Sequence, residues 1–361
     1  MSSPKVLFVT GEYPPLPGGI GDYTANLRLA LAAMGIRTAV LSSRGADGED
    51  VLTVQRWNWA TAGRVLQIAR REQADVVHIQ YQAGAFGMHP ALNLLPSLVS
   101  RRLPVVTTFH DLRVPYLFPK AGLLRKTAIV RMASGSDATI VTNPADARAL
   151  GNEGIDVLQI PIGPNLPPPS RVGGVEQHTV AFFGFAARSK GIIELIHALA
   201  DMREPRPVLL LVGAQGTPAP INDIVPASEI DRLAGDADVQ VRRTGFLPAP
   251  AASEALARAD VIVLPFADGA SLRSGSLLAA LQSGRPVVTT ASRTASDLGE
   301  LPRLPQLSLT PSDDHQKLQA AISRALTWSD APAPLPPMFR WQSIATAHDA
   351  LYRRLLDARP R

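Results

Sequence analysis

Residues 259–290, which decide the fold class, read ADVIVLPFADGASLRSGSLLAALQSGRPVVTT. Two short apolar runs, Val261–Pro265 and Pro286–Thr289, flank a stretch with apolar residues at helical spacing, Gly275–Gln282. The near-continuous Val, Ile and Leu of the first run predict a strand that is buried on both faces. A strand, a helix and a second strand in this order predict a β-α-β unit with parallel strands.

The same alternation extends along the chain in two blocks. The first block predicts two helices, Ile20–Met34 and Gly122–Ala133, and six strands: Lys5–Val9, Arg37–Leu41, Ala74–Ile79, Pro104–Phe109, Ala138–Thr142 and Val157–Pro161. The second block adds helices near Gly191–Ala200 and Ala251–Arg258 and strands at Thr179–Gly184, Val208–Val212 and Asp238–Arg242. We therefore expect an α/β protein with two Rossmann-like domains that face a central cleft.

Proline-rich stretches mark the boundaries of these blocks. Gly163–Gly174 contains four prolines and predicts a linker, and Ala331–Pro337 predicts a second one. We expect a first domain over residues 1–165 and a second domain over residues 175–330. An amphipathic helix, Trp341–Leu355, follows the second linker, so residues 338–361 are expected to pack back on the first domain.

Composition excludes several classes of protein. The 361 residues include no cysteine, which excludes disulfides, thiolate metal sites and thiol nucleophiles. No apolar run approaches the ~20 residues that cross a bilayer, and no signal peptide pattern opens the chain, so we expect a cytoplasmic protein. The net charge of +5 suits an anionic small molecule or an anionic membrane surface. Dense basic clusters with interleaved aromatic residues are missing, so no nucleic acid partner is expected.

The segment EYPPLPGGIGDY, residues 12–23, joins the first strand to the first helix. Gly18 and Gly19 lack a Cβ and would let a phosphate or a sugar approach amides at the positive end of the helix dipole. For each glycine, a tight turn is the alternative. The spacing differs from Gly-x-Gly-x-x-Gly, so a dinucleotide fingerprint is not supported.

Two histidines end neighbouring predicted strands. His110 follows Pro104–Phe109, and His78 lies with Gln80 at the end of the adjacent strand. Carboxyl ends of strands in open α/β sheets face the ligand, and histidine donates or accepts protons near neutral pH. A packing role is the alternative for each ring. No histidine and carboxylate pattern has metal-ligand spacing, so no metal is expected.

Two anion sites are predicted in the second block. Arg188 and Lys190 stand in the turn after the strand Val180–Gly184, and an ammonium group there suits a diphosphate. A solvated turn lysine is the alternative. A second set of residues surrounds the start of a helix, where ordinary serine capping is the alternative: Ser271, Arg273, Ser274, Gly275 and Ser276.

In their order and spacing these motifs resemble the retaining GT-B glycosyltransferases of glycosyltransferase family 4. The resemblance covers essentially the whole chain, through PPLPGGIGDYT, VVTTFHD, GFAARSKGI, TGFLP, ADVIVLPF and SGRPVVTT. It implies transfer of a sugar from a nucleotide-diphosphate donor to a hydroxyl acceptor, with the anomeric configuration kept and without metal or cofactor. The acceptor would be a glycan, a lipid-linked molecule or a small molecule.

The resemblance also assigns roles by position. Gly18 and Gly19 would offer amides to the diphosphate or the donor sugar, while His110 would lie against the transferred sugar. Lys190 would neutralise the departing diphosphate. The remaining assignments are a turn beside the nucleobase, Thr244, Gly245 and Phe246, and an acceptor side with Glu12, Tyr23, His78 and Gln80.

The chain departs from the family pattern at two places. The family's arginine after the glycine of GFAARSKG is Phe185, so Arg188 is the candidate replacement. The family's pair of glutamates eight positions apart falls on Ser271 and Ala279, which leaves Asp268 to supply part of the acidic function. A catalytically silent relative that binds a nucleotide, or serves as a scaffold, is therefore the competing hypothesis.

A basic stretch over residues 120–133 allows two interpretations. Its cations stand among Leu and Ile residues: Lys120, Arg125, Lys126 and Arg131. One interpretation is peripheral contact with anionic lipid, and the other is a surface helix beside the acceptor site.

Overall fold

The computed structural model describes residues 3–112, 122–170, 174, 176–213, 223–292 and 295–359. The chain divides into two compact units. Unit 1 consists of Met1–Gly163 together with Arg340–Arg361, and unit 2 of Pro164–Phe339. Each unit contains a parallel sheet with helices, which confirms the predicted α/β class.

In the described part of unit 1, seven parallel strands have the order β3-β2-β1-β4-β5-β6-β7. The strands are β1 (Lys5–Thr10), β2 (Arg37–Ser43), β3 (Val51–Val54), β4 (Val76–Tyr81), β5 (Val105–Phe109), β6 (Ala138–Val141) and β7 (Leu158–Gln159). The helices between them are α1 (Gly19–Ala33), α2 (Thr61–Arg71), α3 (Ala91–Val99), α4 (Gly122–Ser134) and α5 (Pro144–Gly151). The order reverses between β1 and β4, where the chain changes direction across the sheet.

Unit 2 repeats this plan with six parallel strands in the order β10-β9-β8-β11-β12-β13, as far as its described residues extend. The strands are β8 (Glu176–Phe183), β9 (Val208–Val212), β10 (Val241–Arg243), β11 (Ala259–Leu264), β12 (Val287–Thr290) and β13 (Leu307–Thr310). The helices are α6 (Ile192–Ala200), α7 (Ala227–Asp236), α8 (Ala249–Arg258), α9 (Gly275–Gln282) and α10 (His315–Leu326). Here the order reverses between β8 and β11.

Burial follows the position of each strand in its sheet. Every residue of the central strands β4 and β5 is buried, as their continuous apolar sequences predict. The outer strands β3 and β13 are only partly buried, and neither was expected from the sequence. Both are four residues long, VLTV and LSLT, and both lie at an edge of their sheet.

A final helix, α11 (Trp341–Asp357), belongs to unit 1 although it follows unit 2 in the chain. The Tyr352 hydroxyl lies 2.7 Å from Nδ1 of His78 on β4. The Trp341 ring lies 5.4 Å from the ring of Tyr23 on α1. A Cβ added to Gly163 would come within 2.6 Å of the same indole. These contacts confirm the predicted return of the last helix to the first domain.

Candidate functional site

The carboxyl ends of β8 and β11 meet where the strand order of unit 2 reverses. The Ala267 amide donates to the Ser189 carbonyl at 3.0 Å, which joins the loop after β8 to the loop after β11. Gly191, between them in space, has φ +74, and a Cβ there would overlap the Pro265 carbonyl oxygen. In open α/β sheets this position, outside the carboxyl ends at the reversal, is where ligands bind.

Lys190 occupies this position. Its Nζ lies 4.9 Å from the centroid of the Phe266 ring, a cation–π distance. Burial lowers the pKa of Lys190, and the Asp223 carboxylate opposes that effect. No ion pair to the ammonium group occurs within the described ranges of the chain. Lys190 is thus a half-buried cation beside an aromatic ring. It can attract an anion strongly, because the dielectric constant at a partly buried group is lower than in water.

Arg188 has a different partner from the phosphate expected of it. Its Nη2 donates to both carboxylate oxygens of Glu229 on α7, each at 2.9 Å. Ser189 is tied in the same way, because its amide donates to Asp223 at 2.8 Å. Arg188 therefore fastens the loop after β8 to α7 in this structure, and its replacement of the arginine that the family has at Phe185 stays a prediction.

At the start of α9, serine capping is observed. The Ser274 Oγ accepts from the Leu277 amide at 3.3 Å and lies 3.0 Å from the Ser276 Oγ. The Ser271 carbonyl accepts from the Ser274 amide at 3.1 Å. Gly275 lies against Asn165, whose Oδ1 is buried without a partner among the described residues. The cap uses one of the first amides of the helix and leaves its positive dipole directed at the same edge of the sheet.

The two positions of the family's glutamate pair carry no carboxylate. Ala279 is buried within α9, with 3% of its surface exposed, and Ser271 is half-buried. Asp268 is exposed in the loop after β11, and Arg273 is half-buried in the same loop. Any contact to a ribose at this position would therefore come from other groups.

The turn after β10 presents an aromatic side chain. Thr244 is fixed by its amide, which donates to the Leu211 carbonyl at 3.0 Å, and Gly245 has φ +67. Phe246, which follows, is 80% exposed. A large aromatic ring held at the carboxyl edge of the sheet can stack on a planar base.

A cavity of about 500 Å³ in unit 2 lies at the carboxyl ends of β11, β12 and β13, with Pro265, Thr290 and Pro311 in its lining. Its lining includes four carboxylates, Glu194, Asp201, Asp313 and Asp314. A negatively charged lining repels a diphosphate, so this cavity does not suit a nucleotide.

In unit 1, the predicted anion site at the start of α1 already holds a carboxylate of the protein. The Glu12 Oε1 accepts from the Ile20 amide at 2.9 Å and from the Gly21 amide at 3.3 Å. A Cβ on Gly18 would overlap that carboxylate, whereas a Cβ on Gly19 would meet nothing within 4 Å. The missing side chain of Gly18 thus makes room for Glu12, and the contact of the Gly18 and Gly19 amides with a diphosphate or a sugar stays a prediction.

Burial raises the pKa of the Glu12 carboxyl, and the two amide hydrogen bonds act in the opposite direction. Burial, together with the nearby charge of Glu12, raises the pKa of Asp22 to about 6. Two acidic groups therefore share the start of α1. An incoming diphosphate would meet repulsion there unless Glu12 moves away from the helix.

His110 lies among buried polar groups at the carboxyl end of β5. Its Nε2 is 2.7 Å from the Oε1 of Gln80, a fully buried residue of β4. The Tyr23 ring packs edge-on against it at 4.7 Å. Burial, with a contribution from His348, lowers the pKa of His110 to about 3. The ring is therefore neutral at physiological pH.

His78 does not reach the surface, which corrects its assignment to the acceptor side. It is fully buried, and its Nε2 lies 2.7 Å from the Thr108 hydroxyl while its Nδ1 lies 2.7 Å from the Tyr352 hydroxyl. Both ring nitrogens thus have partners, and the ring joins β4 to α11. Gln80 and Tyr23 are buried as well, so Glu12 alone among the four acceptor-side candidates is partly exposed.

The basic helix α4 carries an ion pair. Lys126 Nζ lies 2.6 Å from Glu153, and Arg131 is exposed. Lys120 and the side chain of Arg125 lie outside the described residues. The helices described in the structure include none long and apolar enough to cross a bilayer. Within the same ranges, no three His, Asp or Glu side chains are grouped to hold a metal ion.

Several solved structures share this architecture with the chain. The sucrose-phosphate synthase of Thermosynechococcus elongatus has 19% identity and a TM-score of 0.72, covering 99% of this chain and 100% of that one. AviGT4, a glycosyltransferase of avilamycin A biosynthesis, has 19% identity and a TM-score of 0.61, covering 99% of both chains. An α,α-trehalose-phosphate synthase (UDP-forming) from Burkholderia xenovorans has 12% identity and a TM-score of 0.64, covering 98% and 100%. These likenesses define the class of fold, GT-B.

Family models match both units of the chain. Residues 17–165 match the model described as Glycosyltransferase Family 4, and residues 177–327 match the one described as Glycosyl transferases group 1. No curated protein matches the sequence. The chain is a family 4-like glycosyltransferase of the GT-B fold.

Proposed function

We propose that the chain transfers a sugar from a nucleotide-diphosphate donor to a hydroxyl acceptor, with retention of anomeric configuration and without metal. In this proposal unit 2 binds the donor and unit 1 binds the acceptor, a glycan, a lipid-linked molecule or a small molecule. Peripheral contact of residues 120–133 with anionic lipid stays a prediction, which sedimentation with anionic vesicles would test.

The observation that carries the proposal is the position of Lys190. Its ammonium group lies at the strand-order reversal of unit 2, over the Phe266 ring, with the start of α9 on the same loop system. When the bond between the sugar and the diphosphate breaks, negative charge develops on the diphosphate. Fixed positive groups in a poorly hydrated site stabilise such charge, which is commonly the largest catalytic effect.

The exposed ring of Phe246 supports the proposal that the donor contains a nucleotide. Phe246 follows β10, two strands away from β8 in the sheet, and its ring is 80% exposed. A base stacked on this ring and a diphosphate at Lys190 would both lie along the carboxyl edge of unit 2. This edge is where nucleotides bind to doubly wound sheets.

Retention is proposed to proceed on one face of the sugar. The bond from the anomeric carbon to the diphosphate oxygen breaks, and the acceptor oxygen forms its bond to that carbon on the same face. The acceptor proton passes to an oxygen of the leaving diphosphate. This route needs no carboxylate nucleophile from the protein.

The test begins with the melting temperature of the protein in the presence of UDP, GDP, ADP and TDP and of their sugars. A ligand that binds only the folded protein raises that temperature. The nucleotide sugar that does so is then used to measure transfer and hydrolysis by the wild type and by Lys190→Ala. Lys317→Ala is the matched control, because Lys317 is an exposed lysine of unit 2 paired with Asp314 at 3.0 Å.

We expect Lys190→Ala to lose turnover by a factor on the order of 100 or more, as when a preorganised charge-stabilising group is removed. Lys317→Ala should behave as the wild type does. Near-normal transfer by Lys190→Ala would refute the assigned role.

A catalytically silent relative is the second candidate, and the missing glutamate pair at Ser271 and Ala279 favours it. The same panel of nucleotides and nucleotide sugars distinguishes an active transferase from a silent relative. Binding of one nucleotide with no turnover of any sugar donor would support a nucleotide-binding scaffold, whereas turnover of a single donor would exclude it.

A further inference from the structure

Gln80 determines which nitrogen of His110 carries the hydrogen. Gln80 lies on β4, and His110 directly follows the neighbouring strand β5. Gln80 Oε1 lies 2.7 Å from His110 Nε2. A carbonyl oxygen only accepts hydrogen bonds, so the histidine donates from Nε2. The lone pair of the ring is then on Nδ1. Because Nε2 forms its hydrogen bond with a fully buried residue, Nδ1 is the ring nitrogen that could bind a ligand.

The other end of the Gln80 amide is left without a partner. Its Nε2 is buried, and no group of the described residues accepts a hydrogen bond from it. Unmade hydrogen bonds in a protein interior are destabilising and rare. A leucine or methionine would fill this position on β4 without that disadvantage. The bond from the carbonyl end to His110 gives a reason why a glutamine stands here.

The groups around His110 do not favour its protonated form. Tyr23 on α1 packs against the ring, and the titratable neighbours on the other elements are His78 on β4 and His348 on α11. Burial lowers the pKa of each of these three histidines. His110 therefore remains an imidazole with one hydrogen, for which the choice of nitrogen decides whether it donates or accepts.

We propose that Gln80 is a positioning residue that holds His110 with its hydrogen on Nε2. The Nδ1 atom then accepts a hydrogen bond from a hydroxyl group of the transferred sugar. The identity of the ligand rests on the proposed function, whereas the position of the hydrogen does not. Gln80 itself touches no substrate in this proposal, which differs from its expected place on the acceptor side.

The position of the hydrogen is measured by NMR on the full-length protein with ¹⁵N-labelled histidine. Loss of one signal set in His110→Asn assigns the ring. In the wild type, Nε2 should show the shift of a protonated nitrogen and Nδ1 that of an unprotonated one. In Gln80→Met, which fills the same space without an acceptor, we expect a mixture of the two tautomers. A wild-type ring with its hydrogen on Nδ1 would overturn the proposal.

Kinetics supply the functional part of the test. Gln80→Met should lower kcat by a factor on the order of ten or more, as misplaced histidine hydrogens do in other enzymes, with little change in KM for the donor. Gln80→Glu keeps an oxygen that accepts from Nε2, and its charge raises the pKa of His110. It should therefore recover kcat at alkaline pH and lose it as the pH falls.

Thr107→Val is the control for a general effect on folding. It removes a buried side-chain hydrogen bond of 2.7 Å, to Ser136, from the same sheet without touching His110. If it lowers kcat as much as Gln80→Met does, or if Gln80→Met keeps the wild-type kcat, the positioning role is refuted. Should the wild type transfer no sugar at all, the proposed function fails, while NMR still decides the tautomer.

Discussion

Glu12 Oε1 accepts a hydrogen bond of 2.9 Å from the amide of Ile20, eight residues further along the chain. The cap of helix α1 is thus provided by a side chain that precedes the glycine-rich turn. Gly18 occupies the N-cap position itself, with φ 164, an extended conformation that other residues also adopt. Its lack of a side chain is required only because Glu12 fills the space where a Cβ would lie.

Gly18→Ala should therefore displace Glu12 and destabilise the protein by about 1 kcal/mol, the usual effect of losing a helix cap. In a Glu12→Ala background the same substitution should have almost no effect, because the space is then empty. Urea unfolding of the two single variants and the double variant measures this coupling. Equal effects of Gly18→Ala in both backgrounds would show that Glu12 does not cap the helix.

Acid should destabilise unit 1 through its buried histidines. Burial lowers the pKa of His348 to about 4 and of His110 to about 3, from 6.5, and lowers that of His78 as well. The unfolded chain thus binds more protons below pH 6.5, so stability falls as the pH falls. Asp22, with its pKa raised to about 6, has the opposite sign.

The raised pKa of Glu12 acts in the same direction as that of Asp22. Three histidines exceed these two carboxyl groups, and we expect a net loss of about 2 kcal/mol between pH ~6.5 and ~5.5. Urea unfolding across this range measures it. His348→Phe should reduce the slope, whereas Thr107→Val, which removes no titrating group, should lower stability equally at each pH. A slope that does not change in His348→Phe would contradict the assignment.

Gly191→Ala tests the contact between the loops after β8 and β11. The glycine has φ +74, and its added Cβ would overlap the backbone oxygen of Pro265, which cannot move easily. We expect a loss of about 2 kcal/mol or more in unfolding free energy and weaker nucleotide binding. Gly235→Ala, in the exposed part of α7 with open space around it, should stabilise by up to about 1 kcal/mol.

Phe246→Ala tests the nucleobase assignment. Because the ring is 80% exposed, its removal should leave the melting temperature of the free protein almost unchanged. Nucleotide affinity should fall on the order of tenfold, since stacking of a base on an aromatic ring contributes about 1–3 kcal/mol. Titration calorimetry with the nucleotide found in the donor panel measures it, and unchanged affinity would place the base elsewhere.

Arg188→Ala should affect nucleotide binding far less than Lys190→Ala does. The guanidinium group is engaged by Glu229, and the Arg188 side chain is 51% exposed, a position at which ion pairs contribute little to stability. A comparable loss of affinity in both variants would mean that Arg188 leaves Glu229 when the diphosphate binds.

The sequence predicted the fold well because the central strands are continuous apolar runs. Val208–Val212 has the predicted bounds, and Gly275–Gln282 forms the predicted helix. Outer strands such as Val51–Val54 gave no such signal, because one face meets solvent and the run is short. Helix Thr61–Arg71 was not predicted either, although its buried residues Thr61, Val65, Ile68 and Ala69 have the spacing of one helix face.

The candidate site was predictable in position and much less so in contacts. Placing Lys190 after a strand needs only the local pattern, whereas its approach to Phe266 depends on the order of strands in the sheet. The burial of His78 depends on Tyr352, 274 residues away in the sequence. Partners so distant leave no local signal, so the sequence left both an acceptor-side role and a packing role open for His78.

The return of α11 to unit 1 makes unit 2 a covalent insertion with two junctions, at Gly163–Pro164 and at Phe339–Arg340. A chimera that exchanges unit 2 must therefore be spliced at both points. Deleting everything after residue 163 would remove Tyr352 from His78 on β4 and Trp341 from Tyr23 on α1. Unit 2, by contrast, is one continuous segment of the chain, Pro164–Phe339. It is therefore the unit suited to expression alone or to transfer into a related protein.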